Sequence, residues 1–147
     1  MESFKYIEHE ADIGINASGH SMEELFENIA LGMFSIMWEI NNIKSDIKRQ
    51  VVVSEERKIS REELLVNWLE MLIYNFEVRG EIYSSTVVED ISISSKGSFL
   101  RSNIFGEKVN SEKHVFKIQV KAPTYHLLKI EGNAKNKKFS TSIIFDV

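Results

Sequence analysis

Two acidic groups stand side by side at the end of this sequence. Asp146 is followed only by Val147, which carries the α-carboxylate of the chain. Two adjacent anions repel each other unless a cation or a donor joins them, and hard oxygen ligands of this kind suit calcium or magnesium. The alternative is a frayed, solvated terminus. The residues alone favour that alternative, although the apolar stretch at 143–145 indicates that this end is packed.

A second acidic candidate, Asp12, lies near the other end of the chain. It precedes an alternating apolar run, Ile13, Ile15 and Ala17. An aspartate in such a place is most often a turn residue that bonds its own backbone, and the residues alone favour that interpretation. Asp12 also falls on the polar side of the alternation with Asn16, so a position in a polar groove stays open.

Two histidines and one lysine are further candidates for chemistry. His9 and His126 each have a side chain that can bind a metal or carry a proton, although a hydrogen-bonded structural histidine is the commoner case. Lys121 has an ammonium group that can anchor a carboxylate or a phosphate, with a solvated lysine as the alternative. His20 and His114 are expected to be ordinary surface residues.

Two helices and a series of strands must position these residues. Ser21 with Glu24, and Ser60 with Glu63, form capping boxes that predict helix starts. Apolar residues at helical spacing follow each box, so we expect helices to about Glu39 and to Gly80. Alternating patterns predict strands at 4–8, 13–17, 46–53, 83–94, 98–105, 114–122, 126–131 and 139–147. Turn residues separate the later strands at 96–97, 109–110 and 132–133.

These elements predict an α+β fold. Two helices with apolar stripes need apolar sheet faces to cover them, so we expect a single-domain sandwich of two helices packed on antiparallel β-sheets, spanning residues 1–147. The length of 147 residues, with 43% hydrophobic and 27% charged residues, fits one globular domain.

Composition excludes several classes of protein. The chain has no cysteine, which rules out disulfides, thiolate metal sites and thiol nucleophiles. A net charge of −4 argues against sequence-independent binding of naked nucleic acid. The sequence has no apolar run of membrane-spanning length and no signal peptide, so we expect a cytoplasmic protein without a membrane partner. Nor does it contain a phosphate loop, a nucleophile elbow or a zinc helix motif.

Several short stretches together resemble the archease family, and they cover essentially the whole chain. The segment 9–14, His-Glu-Ala-Asp-Ile-Gly, is similar to the family's His-Thr-Ala-Asp-Ile/Val-Gly, and Glu-Leu-Phe follows at 24–26. The segment 121–126, Lys-Ala-Pro-Thr-Tyr-His, resembles Lys-Ala-x-Thr-Tyr-His. Asn-Trp-Leu-Glu at 67–70 resembles the second-helix signature, and the final Phe-Asp-Val matches the family's terminus.

The resemblance implies a function. Archeases are cytoplasmic accessory proteins, not enzymes in themselves, that activate the GTP-dependent tRNA-splicing ligase by promoting its guanylylation and multiple turnover during tRNA maturation. RNA is then met only indirectly, through the ligase. The resemblance also implies a divalent cation, typically calcium, held by Asp12, Asp146 and the terminal carboxylate of Val147. Lys121 and His126 match the second motif and are expected to be functional neighbours, and His9 belongs to the first motif.

This sequence departs from the family pattern at two positions. Glu10 stands where threonine is usual and adds a negative charge beside Asp12. Pro123 stands where a β-branched residue is common; because proline lacks a backbone donor, we expect an edge strand or a bulge there.

Two other functions stay open at this stage. One is a stand-alone metal-dependent phosphoester hydrolase that uses Asp12, Asp146, His9 and His126. The other is a chaperone-like helper of RNA-modifying enzymes.

Overall fold

The computed structural model describes residues 3–8 and 12–147. His9, Glu10 and Ala11, which belong to the first of the motifs, lie outside the described residues. The described elements, in chain order, are β1 (Phe4–Glu8), β2 (Asp12–Gly19), α1 (Met22–Met37), a short 3-10 helix (Ile40–Asn42), β3 (Ile47–Glu55), α2 (Arg61–Arg79), β4 (Glu81–Ser94), β5 (Gly97–Lys108), β6 (Ala122–Pro123), β7 (Glu131–Asn133) and β8 (Lys138–Asp146).

Both helices begin at the residues that the capping boxes predict. Ser21 and Ser60 have extended backbones, and the hydroxyl of each accepts a hydrogen bond from the backbone N–H three residues on. This bond satisfies one of the donors that a helix start leaves free. α2 ends at Gly80, whose φ of 61° lies in the left-handed region that glycine adopts at little cost. α1 ends at Met37, two residues before the predicted end.

One sheet has five strands, and β8 lies inside it. β1 pairs with β2, β2 with β8, and β8 with β6 and β7, all antiparallel. The last strand of the chain is therefore paired on both sides. Pro123 lies in β6 at the edge of this sheet, as predicted, where a missing N–H interrupts no inner ladder.

The second sheet has three strands in the order β3-β5-β4. β4 and β5 form a long hairpin whose turn falls at Ser95 and Lys96. The register of β4 against β5 shifts twice, between Tyr83 and Ser85 and between Val88 and Asp90. The pairing of β3 with β5, in contrast, runs without a shift over all nine residues of β3.

The two sheets and the two helices share one apolar core. α1 contacts β2 in the first sheet and β4 in the second, while α2 contacts all three strands of the second sheet and β6 of the first. Trp68, fully buried on α2, stacks on Phe26 of α1 and donates a hydrogen bond from Nε1 to Ser102 Oγ at 2.9 Å. The fold is thus the predicted α+β sandwich in a single small domain. Neither helix among the described residues is long and apolar enough to cross a membrane.

Two of the predicted strands are wrong. Of the predicted 114–122 strand, only Ala122 lies in a strand, and Phe116 forms an isolated bridge with Trp38. Of the predicted 126–131 strand, only Glu131 lies in a strand. The segment after His114 lies instead along the end of α1: Lys117 N–H donates to Met37 O, and Glu39 N–H donates to Val115 O. The predicted turn at 132–133 is also wrong, because those residues pair with β8 and the turn follows at 134–137.

Candidate metal centre

Asp12 and Asp146 face each other across neighbouring strands. Asp12 is the first residue of β2 and Asp146 the last residue of β8, and the two are direct partners in the antiparallel register. Directly opposed residues project to the same face of a sheet, with Cβ atoms about 5 Å apart. The favoured turn interpretation of Asp12 is therefore wrong: the residue begins a strand, and the fold brings it to Asp146 from the far end of the chain.

No cation of the described residues 3–8 and 12–147 pairs with either aspartate. Neither Asp12 nor Asp146 takes part in any of the ion pairs between these residues. Asp146 is exposed and Asp12 is half-buried. Like charges directly opposed on a sheet destabilise it by a few tenths of a kcal/mol to ~1 kcal/mol. This pairing thus costs stability unless a cation joins the two carboxylates.

The end of the chain is packed. The Val147 side chain is half-buried and lies against the core, and Phe145 beside it is fully buried. β8 alternates between core-facing Phe139, Thr141, Ile143 and Phe145 and the opposite face that carries Asp146. Packing of this end confirms the expectation drawn from the apolar stretch and excludes a frayed terminus.

Lys121 lies next to the acidic pair through its backbone. Its N–H donates a 2.8 Å hydrogen bond to the carbonyl oxygen of Asp146, and the next residue, Ala122, is the β6 partner of Asp146. The side chain of Lys121 is exposed, and in the described part of the chain its ammonium group makes no ion pair with Asp12 or Asp146. The strand pairing thus brings three of the predicted site residues to one end of the sheet.

His126 lies in a tight turn close to the end of β6. Leu128 N–H donates to Tyr125 O at 3.0 Å, and Leu127 inside the turn has a positive φ of 55°. The His126 side chain is exposed. The turn follows Thr124, whose N–H and hydroxyl both donate to the carbonyl oxygen of Ile144, so it is attached to β8 two residues before Asp146.

The donor chemistry of the acidic pair fits a hard divalent cation. In residues 3–8 and 12–147, no group of three or more His, Asp and Glu side chains converges as a metal site. Asp12 and Asp146 together supply two carboxylates, and calcium commonly takes six to eight oxygen ligands that include backbone oxygens and water. The α-carboxylate of Val147, adjacent to Asp146, stays the predicted third ligand.

A polar groove lies further along the same sheet face. Its β2 wall was predicted from the sequence, but its β8 wall was not. The groove has a volume of about 800 Å³ and includes Asn16 and Ser18, the polar residues of β2 that share parity with Asp12. Lys5, Asn16 and Ser142 are register neighbours across three strands, and Ser142 Oγ donates to Asn16 Oδ1. Asp12 itself does not line this groove. The other wall of the groove includes Ser140 and Ser142 of β8. Their alternation with apolar residues in the sequence could have predicted this polar wall.

His114 is buried, which contradicts the prediction of a surface residue. Its Nδ1 accepts a hydrogen bond from Asn110 N–H at 2.9 Å, and its Nε2 lies 3.1 Å from Glu107 Oε2. Lys113 Nζ also donates to both oxygens of Glu107, and Lys44 N–H donates to one of them. Led by the Lys113 hydrogen bond, these donors lower the pKa of Glu107 to about 2. Glu107 is thus a carboxylate whose partners come from within the protein, and it lies in β5 of the three-stranded sheet, whereas the acidic pair belongs to the five-stranded sheet.

Comparison with known proteins places this chain among relatives over its full length. The model of the Archease protein family (MTH1598/TM1083) matches residues 4–147. "Protein archease" of Pyrococcus abyssi is 38% identical over 131 residues, 89% of each chain. That of Methanosarcina mazei is 33% identical over 99% of this chain and 97% of the relative, and that of Sulfurisphaera tokodaii is 32% identical over 100% of both.

The fold has a counterpart among solved structures. The solution structure of Methanobacterium thermoautotrophicum protein 1598 matches with a TM-score of 0.80 and 29% sequence identity, covering 100% of both chains. The family match, the relatives and this shared fold agree over all the elements that carry the acidic pair. The chain belongs to the archease family.

Proposed function

We propose that this protein is an accessory factor of the GTP-dependent tRNA-splicing ligase, and that it promotes ligase guanylylation and multiple turnover. The observation that carries the proposal is the direct pairing of Asp12 with Asp146 at one end of the five-stranded sheet. Membership of the archease family supports the same role, which the motif resemblance implies. RNA is met only through the ligase, in keeping with the net charge of −4.

Asp12, Asp146 and the α-carboxylate of Val147 would hold a divalent cation, with calcium as the best fit to oxygen ligands. Bound there, the cation would neutralise the repulsion of the three anions and supply positive charge at the docking surface. The half-buried and exposed positions of the two aspartates leave the site open to a partner. Lys121, fixed beside Asp146 by its backbone hydrogen bond, would then contact an anionic group of the ligase or its nucleotide.

An acidic, metal-binding end suits the reaction that it would assist. Guanylylation transfers the nucleoside monophosphate group of a nucleoside triphosphate to the enzyme, breaks the bond between the α- and β-phosphates and releases pyrophosphate. Neutralising charge on the phosphates supplies much of the rate enhancement. This chain's carboxylates would position positive charge near the ligase's own nucleotide site. Its contribution is thus to order the partner's site, and no nucleophile is required of this protein.

The decisive experiment measures ligase guanylylation with and without this protein. Asp146→Ala, and separately a short extension after Val147, should abolish stimulation while the circular dichroism spectrum and the unfolding transition are retained. Asp46→Ala is the matched control, because Asp46 is also an exposed aspartate but precedes β3 of the other sheet. Full stimulation by Asp146→Ala would overturn the proposal.

Metal binding is tested separately by calorimetric titration of calcium into the wild type and Asp12→Ala. Equal binding by both proteins would remove Asp12 from the site. The same preparations, incubated with metal and phosphoester substrates in the absence of ligase, should show no hydrolysis. Turnover that depends on Asp12 and Asp146 under those conditions would instead favour the hydrolase alternative.

A further inference from the structure

The β3 edge of the three-stranded sheet lacks the protection that the β4 and β6 edges have. The β4 edge of the three-stranded sheet carries two register shifts, and Glu27 of α1 accepts a hydrogen bond from Val88 N–H at 2.8 Å. The edge strand β6 is two residues long and contains Pro123. Bulges, proline and short length are the usual means of preventing further strand pairing.

The free edge of β3 has none of these features. β3 is nine residues long, pairs with β5 without a shift, and has no second strand partner among residues 3–8 and 12–147. Its central residues, Val51, Val52 and Val53, carry no charge. A regular strand of this length with an uncharged centre offers a row of backbone donors and acceptors to another strand.

A groove with an apolar wall runs beside this edge. It has a volume of about 620 Å³ and lies between Val52–Glu55 of β3 and the α2 residues Asn67, Glu70, Met71 and Tyr74. Met71, Tyr74 and Val78 form one stripe on α2 and are 36%, 63% and 62% exposed. Three large apolar residues at helical spacing on a surface helix mark a contact face. A strand added to β3 would meet this stripe with its inward-facing side chains.

The charges of β3 complement those of an antiparallel copy of β3. Lys48 and Arg49 lie at its start, and Glu55 and Glu56 lie at its end and just beyond it. In an antiparallel pair, the side chains of directly opposed residues project to the same face of the sheet. Residues of one strand share a face only when their numbers differ by an even number. Two copies of the same strand can therefore pair about a dyad only when the numbers of opposed residues add up to an even sum. A dyad at Val52 satisfies this rule and sets Lys48 opposite Glu56.

We propose that β3 pairs with β3 of a second copy of this chain about a dyad at Val52, which joins two three-stranded sheets into one of six strands. The two copies of α2 then lie on the same face of the joined sheet, and their stripes of Met71, Tyr74 and Val78 face each other across the dyad. The interface is isologous, so each Lys48–Glu56 pair occurs twice. The acidic pair belongs to the other sheet, so this inference does not depend on the proposed function.

Sedimentation equilibrium over a range of protein concentrations tests the proposal. Wild type should associate to twice the mass of one chain. Lys48→Glu and Glu56→Lys should each raise the dimer dissociation constant about tenfold, because each sets two pairs of like charges against one another. The double variant, Lys48→Glu with Glu56→Lys, should restore the wild-type constant, since it exchanges the signs and keeps the complementarity. Lys96→Glu, in the exposed β4–β5 turn, is the matched control and should have no effect.

Val52→Lys gives a stronger version of the same test. It places two lysines against each other at the dyad and should abolish the dimer, while its unfolding transition shows that the monomer still folds. A wild type that remains monomeric at every concentration would overturn the proposal. So would a dimer that survives Val52→Lys, or a charge reversal that the double variant does not rescue, since either result would place the contact elsewhere or assign β3 to a different partner.

Discussion

The two sheets of this protein differ in how their carboxylates are paired. In the three-stranded sheet, Glu81 is fully buried and receives hydrogen bonds from Arg49 Nε at 3.0 Å and from the second guanidinium nitrogen at 2.6 Å, with Tyr83 Oη donating to the same carboxylate. The Arg49 hydrogen bonds hold the pKa of Glu81 below its usual range, although burial opposes them. In the five-stranded sheet, Asp12 and Asp146 face each other with no ion-pair partner among the described residues.

This difference separates carboxylates that hold the fold from carboxylates that are free to bind. A buried anion is tolerated only with an opposite charge and hydrogen bonds, so Glu81 has a structural role and its partners are fixed. Asp12 and Asp146 are opposed anions with no ion-pair partner in the described part of the chain, and such a pair reduces the stability of the fold. A site of this kind is expected to serve a function other than stability. Residue type alone does not distinguish the two roles; the partners do.

The largest effect is expected from Arg49→Met, which removes the cation from Glu81 and leaves a buried charge. Removing Arg49 should lower the free energy of unfolding by more than the loss of a surface ion pair, because the Glu81 carboxylate is fully buried. Urea denaturation at neutral pH measures the loss. Adding Glu81→Gln to Arg49→Met should recover part of it, because the remaining side chain is then neutral. A single variant as stable as wild type would show that Glu81 does not need its partner.

The next effect concerns calcium. At a calcium concentration one hundred times the dissociation constant, a single site on the folded state raises the unfolding free energy by ~2.7 kcal/mol. Thermal unfolding should therefore shift upward with calcium for wild type and not for Asp146→Asn. Asp46→Asn, the same change on the other sheet, should keep the shift. An equal calcium shift in Asp146→Asn would exclude Asp146 as a ligand.

A third effect appears in acid and concerns Glu107. Its pKa of about 2 in the folded protein lies below the ordinary value of a glutamate, so the folded state binds this proton less readily than the unfolded state. Its contribution to stability is thus complete above the unfolded value and is lost as the pH falls from about 5 towards 2. Urea unfolding of wild type and of Glu107→Gln between pH 7 and pH 3 measures the contribution of the Glu107 carboxylate to the free energy of unfolding. The gap between the two proteins should narrow as the pH falls; a constant gap would assign the effect of the substitution to packing.

The smallest effect has the opposite sign. Asp12→Asn removes one of two opposed anions, so in the presence of a chelator it should stabilise the fold by a few tenths of a kcal/mol to ~1 kcal/mol. The same variant should lose the calcium-dependent gain. Differential scanning calorimetry with chelator and with calcium gives both numbers. Destabilisation of Asp12→Asn in chelator would show that Asp12 has a structural partner after all.

Helices, hairpins and the last strand could be predicted from the sequence because their signals are local. Ser21 and Ser60 fix the helix starts through bonds three residues away, and Gly80 supplies the conformation that ends α2. The alternation in 139–147 identified β8 as well as the face that carries Asp146. Local signals do not show which strands pair with each other. Nothing in the sequence near Asp12 or Asp146 indicates that β2 and β8 are neighbours in the sheet.

The failed predictions have the same origin. The 114–122 segment alternates like a strand, but its backbone groups are taken by the end of α1, where Phe116 packs edge-on against Trp38. His114 looks like a surface residue until Glu107 and Trp38 are brought to it by the fold. In the 126–131 segment, Ile130 N–H donates to Glu62 and Arg61 donates to Ile130 O, so these groups bond to the start of α2 and not to a strand.

The inner position of β8 has a consequence for how the protein is made. Asn16 and Ser142, joined across β2 and β8, are 126 positions apart in the chain. Contacts of such long range form late, because the chain between them must be ordered first. During synthesis, β2 therefore cannot pair with β8 until β8 has left the ribosome. A chain that lacks β8 therefore never assembles the acidic pair.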